Sequence, residues 1–201
     1  MKIYDISQEV FGCEVFPGDP SPERIVMLRK SEGAVCNLTA LKMCAHNGTH
    51  VDAPYHFVEE GLKIDEVGLD RWIGYAYVTA QEGDLTAEDA ERILGEARRA
   101  GEAAGKPAWE RILVKGKAVV TEAAAKVFAE QGVLLIGNES QTVGPENAPM
   151  AVHLILLGAG VVLLEGIRLG NVPEGVYLLN AAPLNLGGSD GAPCRAVLMD
   201  I

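Results

Sequence analysis

The chain has 201 residues, 48% hydrophobic and 22% charged, which suits one globular domain spanning 1–201 and excludes a disordered chain, a coiled coil or a collagen-like repeat. With 17 Lys and Arg against 28 Asp and Glu the formal net charge is −11. No basic run exceeds a pair (Arg29-Lys30, Arg98-Arg99), so no nucleic-acid partner is expected.

In chain order, Ile3 to Ile6 reads as a strand, followed by the turn-rich Phe16-Pro17-Gly18-Asp19-Pro20. Ile25–Leu28 and Asn37–Cys44 read as further strands, the second burying Cys44. Thr86-Ala87-Glu88-Asp89 forms a capping box, and Ala90, Ile93, Leu94 and Ala97 carry a helical stripe to about Ala100. Arg92, Arg98 and Arg99 then fall on its solvated face, and Gly101–Lys106 reads as a floppy connection. Ile112–Val114 is a short strand. Thr121 caps a second helix with Ala124, Val127 and Phe128 on one face and Gly132 at its end. Val133–Ile136 is the next strand. Pro149 opens a helix through Leu157, Gly158 and Gly160 stop it, and Val161–Leu164 is a buried strand. Val176–Leu179 and Ala196–Met199 bracket a Gly/Pro-rich loop, in which Asp190-Gly191 reads as a turn. Gly187–Gly191 precedes a strand rather than a helix, which argues against a phosphate loop. Helices alternate with strands in the middle and strands crowd both ends. The expected fold is therefore α/β, with a mixed, barrel-like sheet flanked by helices.

No membrane anchor is expected. The longest apolar stretch, Met150 to Leu164, is too short and is interrupted by His153 and Gly158-Ala159-Gly160. The opening Met1-Lys2-Ile3-Tyr4-Asp5 puts an acid where a signal peptide needs an apolar run. Cys13, Cys36, Cys44 and Cys194 form no Cys-x-x-Cys pair, so reduced thiols in a cytoplasm are the simplest expectation.

The chemistry concentrates in one window. Three of the four histidines fall in His46-Asn47-Gly48-Thr49-His50-Val51-Asp52-Ala53-Pro54-Tyr55-His56. Imidazole and carboxylate together suit a borderline divalent cation such as zinc. The spacings His46, His50, Asp52, His56 are all even, which would put the four on one side of a strand. At roughly 3.3 Å per residue, however, His46 and His50 would lie about 13 Å apart, too far for bonds of about 2.1 Å to one ion. The chain must turn between them, and Asn47-Gly48 is a turn pair. Any single histidine is better read as an ordinary loop residue; three of four, with an Asp around a Gly turn, point to metal. His153, on the helix after Pro149, and Glu165, directly after an apolar strand, are unremarkable singly. Glu165 nevertheless falls at the strand end where α/β proteins place ligands, and the two would complete a second metal's ligand set.

The window H-N-G-T-H-V-D-A-P-Y-H resembles the H-x-G-T-H-x-D-x-P-x-H signature of the metal-dependent cyclase family, which includes bacterial kynurenine formamidases and isatin hydrolases. The likeness extends over nearly the whole chain: Tyr4-Asp5-Ile6-Ser7 and Pro17-Gly18-Asp19 resemble its opening, His153 with Glu165 its second metal pair, and Pro183-Leu184 with Asp190–Ala196 its ending. The resemblance implies a swivelling β/β/α-type domain and two divalent metal ions, zinc first and manganese second. It places His46, His50 and Asp52 on one ion, and Asp52 and Glu165 as bridges to another held also by His153. His56 is then the general acid/base. Asn47 and Thr49 are candidates for orienting the ligand histidines. The implied partners are a small-molecule substrate and further copies of the chain, in a homodimer or larger homo-oligomer.

The implied reaction is metal-dependent hydrolysis of a carbon–nitrogen amide bond. N-formylkynurenine, cleaved to kynurenine and formate in tryptophan catabolism, or a related aryl or cyclic amide would be the substrate. Lactone or cyclisation chemistry, and a non-catalytic metal-stabilised binding protein, are the alternatives. A binding module has no need of a non-ligand His56. Phe16 stands where kynurenine formamidases carry a pocket-lining Trp, and Asn138–Val143 replaces their D-T-P-S-V-D loop; both departures bear on substrate.

Overall fold

The computed structural model describes residues 1–200. Its strands are β1 (Lys2–Asp5), β2 (Glu23–Leu28), β3 (Leu38–Lys42), β4 (His50–Asp52) and β5 (Ile73–Ala80). These are followed by β6 (Gly83–Leu85), β7 (Arg111–Lys115), β8 (Ala118–Val120), β9 (Leu135–Asn138) and β10 (Val162–Glu165). The last three are β11 (Gly175–Asn180), β12 (Gly191–Pro193) and β13 (Val197–Asp200). The α-helices are α1 (Leu69–Trp72), α2 (Ala87–Ala104), α3 (Glu122–Glu130) and α4 (Met150–Gly158).

Nine strands form one mixed sheet in the order β1-β13-β11-β5-β7-β9-β10-β4-β12. The central β5, β7, β9 and β10 are parallel, and the remaining pairings are antiparallel. Parallel neighbours need long crossovers, and α2, α3 and α4 lie in the three of them. Thr86 caps α2 by accepting from the Asp89 N–H while the Asp89 carboxylate accepts from the Thr86 N–H. Such a cap contributes about 1 kcal/mol. The stripe Ala90, Ile93, Leu94 and Ala97 is fully buried.

Strand alternation divides the core in two. Ile112, Val114, Ile136 and Leu163 face the helices, whereas Leu113, Leu135, Val162 and Leu164 face the hollow of the curled sheet around Trp72, Ile6 and Leu198. Glu165 follows the same period, so it shares the helix side with Leu163, towards α4. The mixed, curled α/β sheet expected from the sequence is thus present.

Three local expectations fail. Gly101–Lys106 is not a floppy link, because α2 continues to Ala104 and ends on Gly105 in the left-handed region (φ 66°). Cys44 lies beyond β3, with its thiol 3.8 Å from an Asp19 carboxylate oxygen. Asp190-Gly191 is no turn, since Gly191 opens β12. β2 and β3 form a separate antiparallel hairpin, exposed along nearly its whole length.

Candidate metal centre

The site forms where β4 joins the sheet edge. β4 pairs antiparallel with β10, placing His50 opposite Glu165 and Asp52 opposite Leu163. Directly opposed residues share a face, as do residues two apart, so His50, Asp52 and Glu165 all point to the helix side. There α4 supplies His153. On the other flank β12 sets Gly191 opposite Asp52. Gly48, in the left-handed region at φ 67°, makes the turn that brings His46 back over His50, with ring centroids 5.1 Å apart. Pro54 opens a short 3₁₀ turn ending at His56, whose ring stacks on His46 at 4.1 Å. All six residues named from the sequence for metal or proton transfer thus meet in one place.

Backbone carbonyls fix two of the imidazoles. His50 Nδ1 donates to Gly48 O (3.0 Å) and His153 Nδ1 to Pro149 O (2.9 Å), so each directs Nε2 inward. His50 Nε2 lies 3.6 Å from Asp52 Oδ1 and 3.4 Å from Glu165 Oε2. His153 Nε2 lies 3.3 Å from Glu165 Oε1 and 3.7 Å from Asp52 Oδ2. His46 Nδ1 is 2.9 Å from Asp52 Oδ1. Separations near 3.5 Å are long for hydrogen bonds. They match the edge of a tetrahedron whose centre lies about 2.1 Å from each donor, roughly 3.4 Å.

Asp52, Glu165, His50 and His153 are each at most 3% exposed, and Asp52 Oδ2 is buried without a hydrogen-bond partner among the described residues. Two carboxylates so deeply desolvated need positive charge beside them. The donor set of imidazole nitrogens and carboxylate oxygens therefore fits a divalent cation, one of whose ligand atoms would be the orphaned Oδ2. In tight groupings of donor atoms, His50 meets Asp52 and Glu165, whereas His46 meets Asp52 and His56.

Without a cation the charges settle on protons. Burial works to lower the His46 pKa, but Asp52 and Asp190 override it and hold it at about 11. Burial likewise opposes protonation of His153, and Glu165 outweighs it, raising the pKa to about 9. Desolvation pushes Asp52 upward, yet His46 and His50 bring it well below the ordinary carboxylate range.

Two sequence expectations need correction. The Asn47 and Thr49 side chains make no hydrogen bond to the ligand histidines: Asn47 Oδ1 accepts from the Cys44 N–H, and the Thr49 hydroxyl donates to Gly166 O at 2.7 Å. Both are loop staples, their side chains spent on backbone groups instead. The residue the sequence reading missed is Asp190, whose Oδ2 lies 2.9 Å from His46 Nε2 and 3.0 Å from His56 Nδ1. An acid directly before a glycine looks like a turn, and only the pairing of β12 with β4 reveals its direction.

A cavity of about 230 Å³ opens over the cluster. Phe16 and Asp19 line it from the N-terminal loop, Phe57 and His56 from the turn after β4, and Gln141, Thr142 and Pro149 from the loop before α4.

A curled mixed sheet whose edge gathers imidazoles and carboxylates beneath an open cavity defines an α/β protein built around a divalent metal. The chain belongs to the Cyclase family, whose model ("Putative cyclase") matches residues 4–145. It is 35% identical to a kynurenine formamidase of Salinibacter ruber, over 100% of this chain and 98% of the relative. It is 34% identical to one of Erythrobacter litoralis, over 100% and 94%. Among solved structures, one described as a predicted metal-dependent hydrolase from Bacillus stearothermophilus superposes with a TM-score of 0.75 at 28% identity, over 98% of this chain and 97% of that one. Isatin hydrolase A from Labrenzia aggregata shares the fold, with a TM-score of 0.79 at 20% identity over 98% and 93%.

Proposed function

We propose that the protein is a metal-dependent hydrolase that opens the carbon–nitrogen bond of an aryl amide, in the manner of an arylformamidase. The observation that carries this is the placement of His56: beside the buried ligand cluster, facing the cavity, and stacked on His46. His56 Nδ1 is engaged by Asp190 Oδ2 at 3.0 Å, which leaves Nε2 for the cavity side. We assign His56 to proton transfer and His46, His50, Asp52, His153 and Glu165 to the metal. We assign two cations, zinc in preference because of three imidazoles, with manganese tolerated because of two carboxylates.

Bound there, the cations supply Lewis acidity and lower the pKa of water towards about 7. His56 Nε2, with Nδ1 engaged by Asp190, takes the proton of the attacking water and returns it to the departing nitrogen. A carbon–oxygen bond forms as the carbon–nitrogen bond breaks, and water provides both the acid's oxygen and the amine's proton. Phe16 and Phe57 give the aryl ring apolar walls.

N-formylkynurenine is the first candidate substrate, with kynurenine and formate as products in tryptophan catabolism; a cyclic amide such as isatin is the second. Phe16 has less area than the Trp it replaces and no N–H donor. The test compares kcat/KM for N-formylkynurenine, formanilide and isatin on metal-loaded protein, with Phe16→Trp measured on the first. Turnover of an aryl amide, and a selective rise for N-formylkynurenine with Phe16→Trp, are expected. Full metal occupancy with none of the three hydrolysed would overturn the reading in favour of lactone or cyclisation chemistry.

We assign a homodimer or larger homo-oligomer, supported by the β2–β3 hairpin, which exposes Ile25, Met27, Leu38 and Leu41 at 41–59%. Four free cysteines support a reducing cytoplasm. No helix among the described residues is long and apolar enough to cross a membrane.

A further inference from the structure

We propose that Asp190 is a positioning residue whose single oxygen Oδ2 holds both His46, on the metal side, and His56, on the proton-transfer side, each in the one tautomer its task needs. The inference rests on the metal-site reading above and adds a residue to it.

A carboxylate oxygen only accepts, so both rings donate to it: His46 through Nε2–H at 2.9 Å and His56 through Nδ1–H at 3.0 Å. In a neutral imidazole the remaining nitrogen then carries the lone pair. For His46 that nitrogen is Nδ1, which donates to Asp52 Oδ1 at 2.9 Å in the metal-free protein and would turn its lone pair to a cation bound in that proton's place. For His56 it is Nε2, the nitrogen left to exchange protons. Reversing either tautomer would turn an N–H towards a cation or blunt the base. One oxygen shared by two rings also explains their stacking, because both edges must converge on one point.

The surrounding chain is built to hold that oxygen still. The Asp190 carbonyl accepts from the Ala53 N–H (2.9 Å), and the preceding Ser189 carbonyl accepts from the Ile64 N–H (3.0 Å). The Ser189 hydroxyl donates to Gly191 O at 2.7 Å. Gly191 lets the strand pass beneath the imidazole, since a Cβ there would sit 2.5 Å from His46 Cε1. Asp190 itself does not line the cavity, and its side chain is 41% exposed. Its oxygen contacts therefore point to the two imidazoles rather than into the cavity.

The test uses zinc-loaded full-length protein and the isosteric Asp190→Asn, alone and combined with His56→Ala. Asp190→Asn should weaken zinc about 10- to 100-fold in chelator competition. At saturating zinc it should lower kcat by roughly 10²-fold with KM unchanged. In the His56→Ala background the same change should still weaken zinc yet cost no further kcat, because the ring it orients is gone. Nitrogen-15 spectra of the unsubstituted protein should show His56 protonated at Nδ1. Zinc affinity and kcat within twofold of the parent overturn the proposal, as does an equal kcat loss in the His56→Ala background. If Asp190→Asn fails to fold, the spectrum decides, and a His56 protonated at Nε2 overturns it. Should the parent hydrolyse no amide, zinc affinity and the spectrum still test Asp190 while the proposed reaction alone fails.

Discussion

Stripping the metal should reverse how stability depends on pH. In metal-free protein burial favours neutral His46 and His153, but the facing carboxylates hold their pKa values at about 11 and about 9. An unfolded histidine titrates near 6.5. Folded protein therefore keeps protons that unfolded protein releases. Their stabilising contribution is complete below about pH 6.5 and is lost as pH rises, through 9 for His153 and on towards 11 for His46. Each pH unit in that window removes about 1.4 kcal/mol per histidine. Between pH 6.5 and 9 the two together account for about 6 kcal/mol, and at 2–4 °C per kcal/mol the melting point should fall by more than about 10 °C. Zinc requires neutral imidazoles, so in loaded protein the folded-state pKa values are depressed and stability is lost as pH falls instead. Thermal melts from pH 6 to 9, with chelator and with excess zinc, should thus slope in opposite directions. His153→Gln should remove roughly half of the metal-free slope. A metal-free melting point that stays level or climbs across this range would refute the carboxylate-held protons.

His56→Ala should retain the parent's zinc content by elemental analysis while turnover drops by roughly 10²- to 10⁴-fold; an emptied site would make His56 a ligand. Glu165→Gln should lower the bound metal per chain, because a neutral amide holds a divalent cation less well than a carboxylate, and unchanged stoichiometry would detach β10 from the site. Met27→Glu, on the exposed hairpin, should shift light-scattering mass towards the monomer without altering the far-ultraviolet spectrum.

The sequence displayed its chemistry more openly than its sheet. The window His46–His56 was legible as metal chemistry because three imidazoles and a carboxylate crowd around one glycine turn, whereas His153 and Glu165 joined it chiefly through the family resemblance. The helices were legible as well, from Thr86 and Thr121 at their caps. The longest strand of the sheet, Ile73–Ala80, was not. Its tyrosines alternate with Gly74 and Ala76, residues with little strand preference, and it follows Trp72 without a turn signal. β4 and β12 are three residues each, too short for any period to show, and they exist because longer neighbours supply their partners. Asp190 stayed hidden with them. Its placement depends on strand register, which joins Asp52 to Gly191, 139 residues apart, and leaves no local trace.

The register of β4 also bears on how the molecule is made. Residues 50–52 find sheet partners only in residues 162–165 and 191–193, and β1 pairs only with residues 197–200. A chain emerging from the ribosome has finished the histidine window long before any strand exists to receive it. The parallel β5-β7-β9 core, with α2 and α3, is contiguous in synthesis and can consolidate first. The first quarter of the chain must wait, exposed, and close over that core only when the last forty residues arrive. A nascent chain arrested before Val162 therefore carries the signature window yet has no strand to dock it against.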